Sequence, residues 1–270
     1  MRLLFFVLVV AVSIAQNAGA QGLSPDERKI VESARSRYYS LDSHGFISAT
    51  CSVKFDFLTV PILPSGDSAD NLKLLEATQF TLTLNRNGPT VQHKYPDGTN
   101  DDAERSAESS ASLLSSLVQG LFLTWQSKGL NGPIPMFDSQ IKSAVETNDG
   151  YRLILSVPGD PVRIEMNKDY LVTEIVSVGG KVDERPQYLP SPEGLIFTGN
   201  IATDDSESSG RVEVKYELDS SMVEGFRLPT SAHLQVSHNI DVKLALNGCT
   251  VSKGVVVSVQ PPDAADTSNR

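Results

Sequence analysis

Cys51 and Cys249 are the only cysteines of the chain and carry its most reactive side chains. Two cysteines can form a disulfide, bind a metal ion or supply a nucleophile. Neither residue lies in a C-x-x-C motif or near a histidine in sequence, which makes metal binding and thiol chemistry the less favoured interpretations. A disulfide or two buried free thiols remain, and the choice depends on the compartment in which the protein folds.

The histidines and acidic residues do not form a metal-binding pattern. The four histidines, which show no metal-ligand spacing, are His44, His93, His233 and His238. We expect ordinary surface roles for them and no metal site. The acidic segment 204–210 offers calcium three carboxylates, on Asp204, Asp205 and Glu207, but it lacks the ordered acid spacing of a calcium loop. A solvated turn is the better interpretation.

Catalytic motifs are also absent from the sequence. It contains no G-x-S-x-G, no H-E-x-x-H and no phosphate-binding glycine loop. The carboxylate pairs Asp101-Asp102 and Asp204-Asp205 lie in polar turns, where water solvates them. An active site assembled from distant residues stays open, because contacts in the fold cannot be read from one chain. We expect neither an enzyme nor a cofactor.

Residues 1–20 have the pattern of a secretory signal peptide. Arg2 precedes an almost entirely apolar run, Leu3 to Ala15, and Ala18-Gly19-Ala20 is a small-residue cleavage site. The run is too short to span a bilayer comfortably. We therefore expect an exported, soluble protein. An exported protein folds where disulfides form, so we predict a bond between Cys51 and Cys249, worth roughly 5 kcal/mol for a loop of about 200 residues.

Charge and length limit the remaining function classes. Without the signal peptide the chain has 22 basic and 33 acidic residues, a net charge of −11. An acidic surface argues against nucleic acid and against anionic lipid headgroups as partners. About 250 mature residues can bury a large core as one extended sheet domain or as two smaller domains.

Alternating apolar residues define the element that organises the chain, Arg211 to Ser237. Its first arm places Val212, Val214, Tyr216 and Leu218 on one side, and its second arm does the same with Ala232, Leu234 and Val236. Strict period two predicts paired antiparallel strands with one apolar face. The connector, 220–230, contains Gly225 and Pro229, which favour a turn.

Similar alternation predicts about ten strands in all. The first, 47–57, places Cys51 on its apolar face together with Ile47 and Val53. We expect a polar loop at 65–71, a proline-rich loop at 184–193 and a turn at Asn247-Gly248. Residues 260–270 are predicted to be a disordered tail. One antiparallel domain over residues 21–259 is the expected organisation.

Two helices interrupt the strands. Ser24-Pro25-Asp26-Glu27 has the pattern of a capping box, followed by an apolar stripe at helical spacing. A second helix, from Ala103 to about Lys128, has a wide apolar face that includes Leu117, Leu121 and Trp125. It either packs permanently on the sheet or forms a lid over an opening between sheet and helix.

Two segments together resemble a known family. Ala34-Arg35-Ser36-Arg37-Tyr38-Tyr39-Ser40-Leu41-Asp42-Ser43 leads from a capped helix into a long first strand, and Val223-Glu224-Gly225-Phe226-Arg227-Leu228-Pro229-Thr230 follows Tyr216. The chain from about Ser24 to Ser258 is similar to the periplasmic lipoprotein carrier and lipoprotein-sorting superfamily (LolA/LolB-like). The long segment at about 101–148 and the two cysteines depart from the family pattern, and we treat that segment as a helical insertion.

The resemblance implies a mainly β (α+β) fold, a curved antiparallel incomplete β-barrel whose concave face is covered by helices. It implies an exported protein of the bacterial periplasm that carries lipid or an acylated lipoprotein, with possible membrane-protein partners in the envelope. We expect a monomer. Burying an acyl chain is favourable by about 0.8 kcal/mol per methylene, so crossing an aqueous compartment requires an apolar shelter.

The hypothetical shelter combines the second helix with the organising strands. Its candidate lipid-binding residues are Leu117, Leu121, Trp125, Val214, Tyr216, Leu234 and Val236. The alternative is a non-transporting envelope scaffold, or interaction module, of the same fold whose apolar face is filled by its own helices.

Overall fold

The computed structural model describes residues 22–57, 69–156, 161–177, 179, 182–204, 212–237 and 240–254. The predicted signal peptide and the predicted C-terminal tail lie outside these ranges, as do residues 205–210 of the acidic segment. The α-helices are α1 (Pro25–Arg35), α2 (Ala69–Ala77) and α3 (Asp101–Trp125). The strands are β1 (Phe46–Phe55), β2 (Gln79–Asn85), β3 (Thr90–Lys94), β4 (Ile141–Glu146), β5 (Gly150–Leu155), β6 (Val162–Asn167), β7 (Val172–Ser177), β8 (Val182–Ser191), β9 (Gly194–Asp204), β10 (Val212–Val223), β11 (Phe226–Val236) and β12 (Ile240–Lys253).

The twelve strands form one antiparallel sheet that does not close. Its spatial order is β3-β2-β1-β12-β11-β10-β9-β8-β7-β6-β5-β4, so the last described strand lies beside the first and the others follow as a meander. β3 and β4 are the two edges, because they do not pair with each other. The predicted fold class is confirmed: a mainly β chain in which an incomplete antiparallel barrel carries helices against its apolar face.

Helix α1 begins at the predicted capping box. The backbone N–H of Glu27 donates to Ser24 Oγ at 3.3 Å, and the Ser24 N–H donates to Glu27 Oε2 at 2.8 Å. The other oxygen of Glu27 accepts the N–H of Ala144 at 3.2 Å. Because Ala144 lies on edge strand β4, this carboxylate satisfies an amide that no neighbouring strand pairs.

Helix α3 begins at Asn100, whose side chain accepts the N–H of Ala103 at 2.8 Å. It ends at Trp125 and continues as one π-helical turn, Gln126–Leu130. The predicted insertion, 101–148, is therefore helical only in its first part: residues 141–146 form edge strand β4. The segment Ile141 to Val145, which contains Lys142 and Ser143, is too short for strand alternation to be recognisable in sequence.

Two hydrophobic cores lie side by side on the inner face of the sheet. The α3 core joins α2 and the buried face of α3 to β1, β2 and β9–β12, with Phe46, Phe80, Phe122 and Leu228 among its fully buried side chains. The α1 core joins α1 to β4–β7, with Val31, Ala34, Leu153 and Ile164 buried. Tyr188 of β8 packs against both cores and marks their junction.

The backbone of residues 37–39, which we call the tyrosine clip, fastens α1 to this junction. Leu195 of β9 donates its N–H to Arg37 O at 2.8 Å and accepts the N–H of Tyr39 at 3.0 Å. Tyr38 enters the α1 core, where its hydroxyl donates to Tyr170 O and accepts the N–H of Val172. Tyr39 enters the α3 core. Two consecutive side chains thus hold the two cores together.

Three prolines lie inside strands where we predicted connections. The predicted loop 184–193 largely forms β8, with Pro186 and Pro190, and Pro229 of the predicted connector lies in β11. β8 pairs with β7 only at Asp183 and Glu184, and β11 pairs with β12 only from Ser231 onward. At all three prolines the strand therefore pairs with one neighbouring strand instead of two. A proline is tolerated there because its missing N–H can lie on the unpaired side.

Because of two β-bulges, strands β1 and β12 differ from the predicted pattern. The Asn247-Gly248 turn is wrong: both residues lie inside β12, where the pairing shifts between Thr50 and Ser52 of β1. Gly248 has a φ of 57°, the left-handed conformation that such a bulge favours. A second shift displaces Ile47, which is 46% exposed instead of facing the core.

Candidate functional site

The predicted disulfide joins the first and last described strands. Cys51 of β1 and Cys249 of β12 are bonded, with their Cα atoms 4.1 Å apart. The bond lies at the bulge of β12, where Thr50 pairs with Thr250 and Ser52 pairs with Asn247. The Cys51 side chain is buried in the α3 core, as its alternation predicted. The bond therefore cross-links two neighbouring strands, and neither cysteine lines the cleft over β5–β8.

The described histidines have carboxylate or hydroxyl partners near the surface. His93 Nε2 lies 3.3 Å from Glu108 Oε2, and His233 Nε2 lies 2.6 Å from Asp241 Oδ1. His233 is on the outer face of the sheet, as predicted, and His44 contacts the carbonyl of Ser40. Within the described ranges no group of three or more His, Cys, Asp or Glu side chains is arranged to hold a metal ion.

The seven candidate lipid-binding residues come together in the α3 core. Cross-strand pairs join Val214 to Val236 and Tyr216 to Leu234. The buried members are Leu121, Trp125, Tyr216 and Leu234, and the half-buried members, which pack against the same core, are Leu117, Val214 and Val236. None of the seven lines the cleft described next. They pack against other side chains of the protein, and their lipid-binding role stays a prediction.

A cleft of about 590 Å³ lies in the other half of the molecule. One wall is the inner face of β5–β8, which contributes Leu155, Val162, Ile164, Ile175 and Val182. The facing wall is the C-terminal end of α3, the π-helical turn and the following segment 131–137. These walls are mostly apolar and belong to elements far apart in the chain.

The segment 131–137 forms an apolar rim on the cleft. Ile134 is buried, whereas Met136 is 50% exposed and Phe137 is 59% exposed. Large apolar side chains with such exposure at the mouth of a cleft are typical of a binding surface. Arg35 of α1 holds the rim in place, because its guanidinium donates to Pro135 O at 2.5 and 2.8 Å and lies 2.9 Å from Asp138 Oδ1.

The π-helical turn positions polar side chains at one end of the cleft. The amide nitrogen of Gln126 donates to the carbonyls of Asn85 and Arg86, both at 3.1 Å, which ties the turn to the β2–β3 connection. The amide oxygen of Gln126 is buried and has no hydrogen-bond partner. Single π-helical turns within α-helices are frequent at functional sites.

Lys128, on the same turn, forms an ion pair with β8. Its Nζ lies 2.6 Å from Glu184 Oε2, and the side chains are 9% and 21% exposed. The side-chain amide of Asn200 donates to the same Glu184 oxygen at 3.2 Å. Lys128 and Glu184 both line the cleft, whereas Asn200 lies behind them.

Two tyrosines extend this polar cluster into the junction of the cores. The hydroxyls of Tyr188 and Tyr216 are buried without a hydrogen-bond partner, as is the amide oxygen of Asn200. Burial raises the pKa of Tyr216 well above its ordinary value. The pKa of Tyr188 is also raised well above its ordinary value, mainly by burial and further by the nearby Tyr38 and Glu184. Both phenols therefore keep their protons.

Sequence reasoning missed the residues of this cleft. Lys128 is the only basic residue between Arg105 and Lys142, but a cation at the end of a helix is ordinary and indicates no buried partner. The run Pro133-Ile134-Pro135-Met136-Phe137 was the available signal, because three large apolar residues beside two prolines are unusual in a surface connection.

Comparisons with known proteins place no constraint on the function. No protein family, no curated protein and no solved structure matches the chain. Within the part of the chain that the structure describes, each helix is too short or too polar to cross a bilayer.

Proposed function

We propose that this protein is an exported lipid-binding protein of the bacterial envelope, a carrier whose ligand places one acyl chain in the cleft over β5–β8. The proposal keeps the predicted relation to periplasmic lipoprotein carriers, with lipid or an acylated lipoprotein as cargo. It moves the expected binding site from the α3 core to the opposite half of the sheet.

The cleft itself carries the proposal. Its volume of about 590 Å³ lies within the range of small-molecule binding sites, roughly 300–1,000 Å³. Apolar side chains form both walls, and the half-exposed Met136 and Phe137 extend the apolar surface to solvent. Sheltering a sixteen-carbon chain from water is favourable by about 12 kcal/mol, so even partial burial in this cleft would hold a lipid in solution.

Two substitutions on strand β7 test the site. Ile175 lines the cleft, whereas Val176, the next residue, lies on the outer face of the same strand. We expect Ile175→Trp to fill the cleft and to weaken binding of a fluorescent acyl ester and of a fluorescent fatty acid at least tenfold. Val176→Trp is the matched control and should bind both as the unchanged protein does. Equal binding by the two variants would place any lipid elsewhere.

Native mass spectrometry of protein purified from a bacterial envelope tests cargo directly. We expect a mass increment that corresponds to lipid or acylated peptide and that disappears after organic extraction. A protein of bare polypeptide mass that also takes up neither fluorescent probe would exclude the carrier.

The second candidate function is a non-transporting envelope scaffold. The observation that favours it is the α3 core, in which all seven predicted lipid-binding residues pack against other side chains. A scaffold requires no ligand, so the bare mass and the absence of probe uptake described above are its expected results.

A further inference from the structure

We infer that the ligand carries an uncharged, hydroxyl-bearing polar head, as a monoacylglycerol does, and that the cleft discriminates against free fatty acids. This inference rests on the proposed function and specifies its substrate class. Its basis is the pairing of charges and hydrogen bonds at the polar end of the cleft.

The charges of the described cleft wall are balanced. Its charged side chains are Arg86, Lys128 and Glu184. Arg86 Nε lies 2.5 Å from Asp42 Oδ1, and Lys128 is paired with Glu184 at 2.6 Å. Each cation of the wall therefore already has a carboxylate partner.

A fatty-acid carboxylate has no favourable position at this end of the cleft. Lys128 is the natural partner for an anion, but its Nζ is occupied by Glu184, and both side chains are largely buried. A second carboxylate beside this pair would leave one uncompensated negative charge close to Glu184, in a region with little water to screen it. An uncharged head avoids this cost.

Gln126 supplies the second, independent observation. Two carbonyls, those of Asn85 and Arg86, accept hydrogen bonds from its amide nitrogen, which fixes the orientation of the amide. The amide oxygen of Gln126, a residue that lines the cleft, is a buried acceptor without a hydrogen-bond partner. A hydroxyl can donate to it, whereas an ionised carboxylate only accepts. Buried polar atoms are normally hydrogen-bonded, so a donor is the expected complement.

The size of the cleft agrees with one chain and a small head. At about 30 Å³ for each water-sized group, a volume of about 590 Å³ accommodates on the order of 20 heavy atoms. A sixteen-carbon fatty acid and its monoacylglycerol are both close to this size, whereas a lipid with two or three such chains is much larger.

The test compares 1-monopalmitoylglycerol with palmitate at pH 8, each displacing a neutral fluorescent probe from the full-length mature protein below its micellar concentration. The two ligands have the same chain and differ only in the head. We expect monopalmitoylglycerol to bind at least tenfold more tightly. Equal or tighter binding of palmitate would overturn the inference and leave the proposed function intact. If neither ligand displaces the probe, the proposed function fails as well.

Removing the negative partner should reverse the preference. We expect Glu184→Gln to free Lys128 for an anion and to tighten palmitate binding at least tenfold. Glu174→Gln is the matched control, because Glu174 lies on the outer face of β7, within reach of Arg163 and Arg185. An unchanged preference in Glu184→Gln would contradict the charge argument. If that variant does not fold, the comparison of monopalmitoylglycerol with palmitate on the unchanged protein still tests the inference.

Discussion

Lys128 Nζ lies 2.6 Å from Glu184 Oε2, and this ion pair connects the helical cover of the sheet to strand β8. The pair stands where the cleft meets the junction of the two cores, with Asn200 donating to it from behind. A buried ion pair adds little net stability compared with well-packed apolar side chains, because both charges lose their hydration. Its position at the end of the cleft is the reason that we assign it a role in the proposed discrimination between ligands.

Removing one partner of the ion pair should destabilise the protein more than removing both. We expect Glu184→Leu to lower the free energy of unfolding by about 2–4 kcal/mol, because Lys128 is left buried and uncompensated. The double variant Lys128→Met/Glu184→Leu should recover most of this loss. Urea unfolding followed by circular dichroism measures both, with Glu174→Leu on the outer face as a control expected to lose less than about 1 kcal/mol. A double variant as unstable as the single one would contradict this account.

The disulfide should stabilise the fold by restricting the unfolded chain. It closes a loop with a sequence separation of 198 residues, for which the chain-entropy model gives roughly 5 kcal/mol. We expect Cys51→Ala/Cys249→Ala to lower the free energy of unfolding by about 3–5 kcal/mol, measured with denaturant. Thr250→Ala, at an exposed neighbour on β12, is the control. Non-reducing peptide mapping should find the two cysteines linked, and freely alkylated thiols would disprove the bond.

The tyrosine clip requires a glycine at position 194. Gly194 has a φ of 122°, and a Cβ there would lie 2.9 Å from Tyr39 N and 3.0 Å from Arg37 O. We expect Gly194→Ala to lower the free energy of unfolding by about 2–4 kcal/mol, through strain and displacement of the clip. Gly225→Ala is the matched control, because its φ is 89° and nothing lies within 4 Å. We expect Gly225→Ala to lower the free energy of unfolding by about 1 kcal/mol. Similar losses at both sites would show that the contacts of position 194 with the tyrosine clip do not matter.

Glu27 should make stability depend on pH in the acidic range. Hydrogen bonds from the backbone and side chain of Ser24, and from the N–H of Ala144, hold the pKa of its carboxyl below the ordinary value of 4.5. Its contribution is therefore present above about pH 5 and is lost as pH falls through the lowered pKa. We expect Glu27→Gln to be less stable than the unchanged protein by about 1 kcal/mol at pH 7.

The same comparison at lower pH gives the sign of the effect. The difference between the unchanged protein and Glu27→Gln should shrink as pH falls below 4.5, since the unchanged protein then loses the charged carboxylate as well. Thermal unfolding at a series of pH values measures it. Glu32→Gln, at an exposed position of the same helix, should lower the free energy of unfolding at pH 7 by less than Glu27→Gln does. A difference for Glu27→Gln that grows on acidification would contradict the lowered pKa.

Local patterns predicted much of the fold, because they depend on neighbours in sequence. The register that pairs Tyr216 with Leu234 follows from two alternating segments separated by one turn. The capping box of α1 needs only four consecutive residues. Helix α2 was missed, because its short sequence has a weak apolar stripe in which Leu75 alone is buried. The three strand prolines were missed because tolerance of a proline depends on whether a second strand lies alongside.

The sequence by itself determined that this is an antiparallel sheet with one apolar face and that α1 begins at a capping box. It predicted the bond between the two cysteines, which the structure confirms. Only the tertiary structure decided that the face near Tyr216 and Leu234 is buried under other side chains, whereas the face near Ile175 borders a cleft. The physical reason is that periodicity marks which side of a strand avoids water but does not specify what covers it. That depends on contacts such as Lys128 with Glu184, which are 56 residues apart in the chain and meet only when the sheet and its helices pack together.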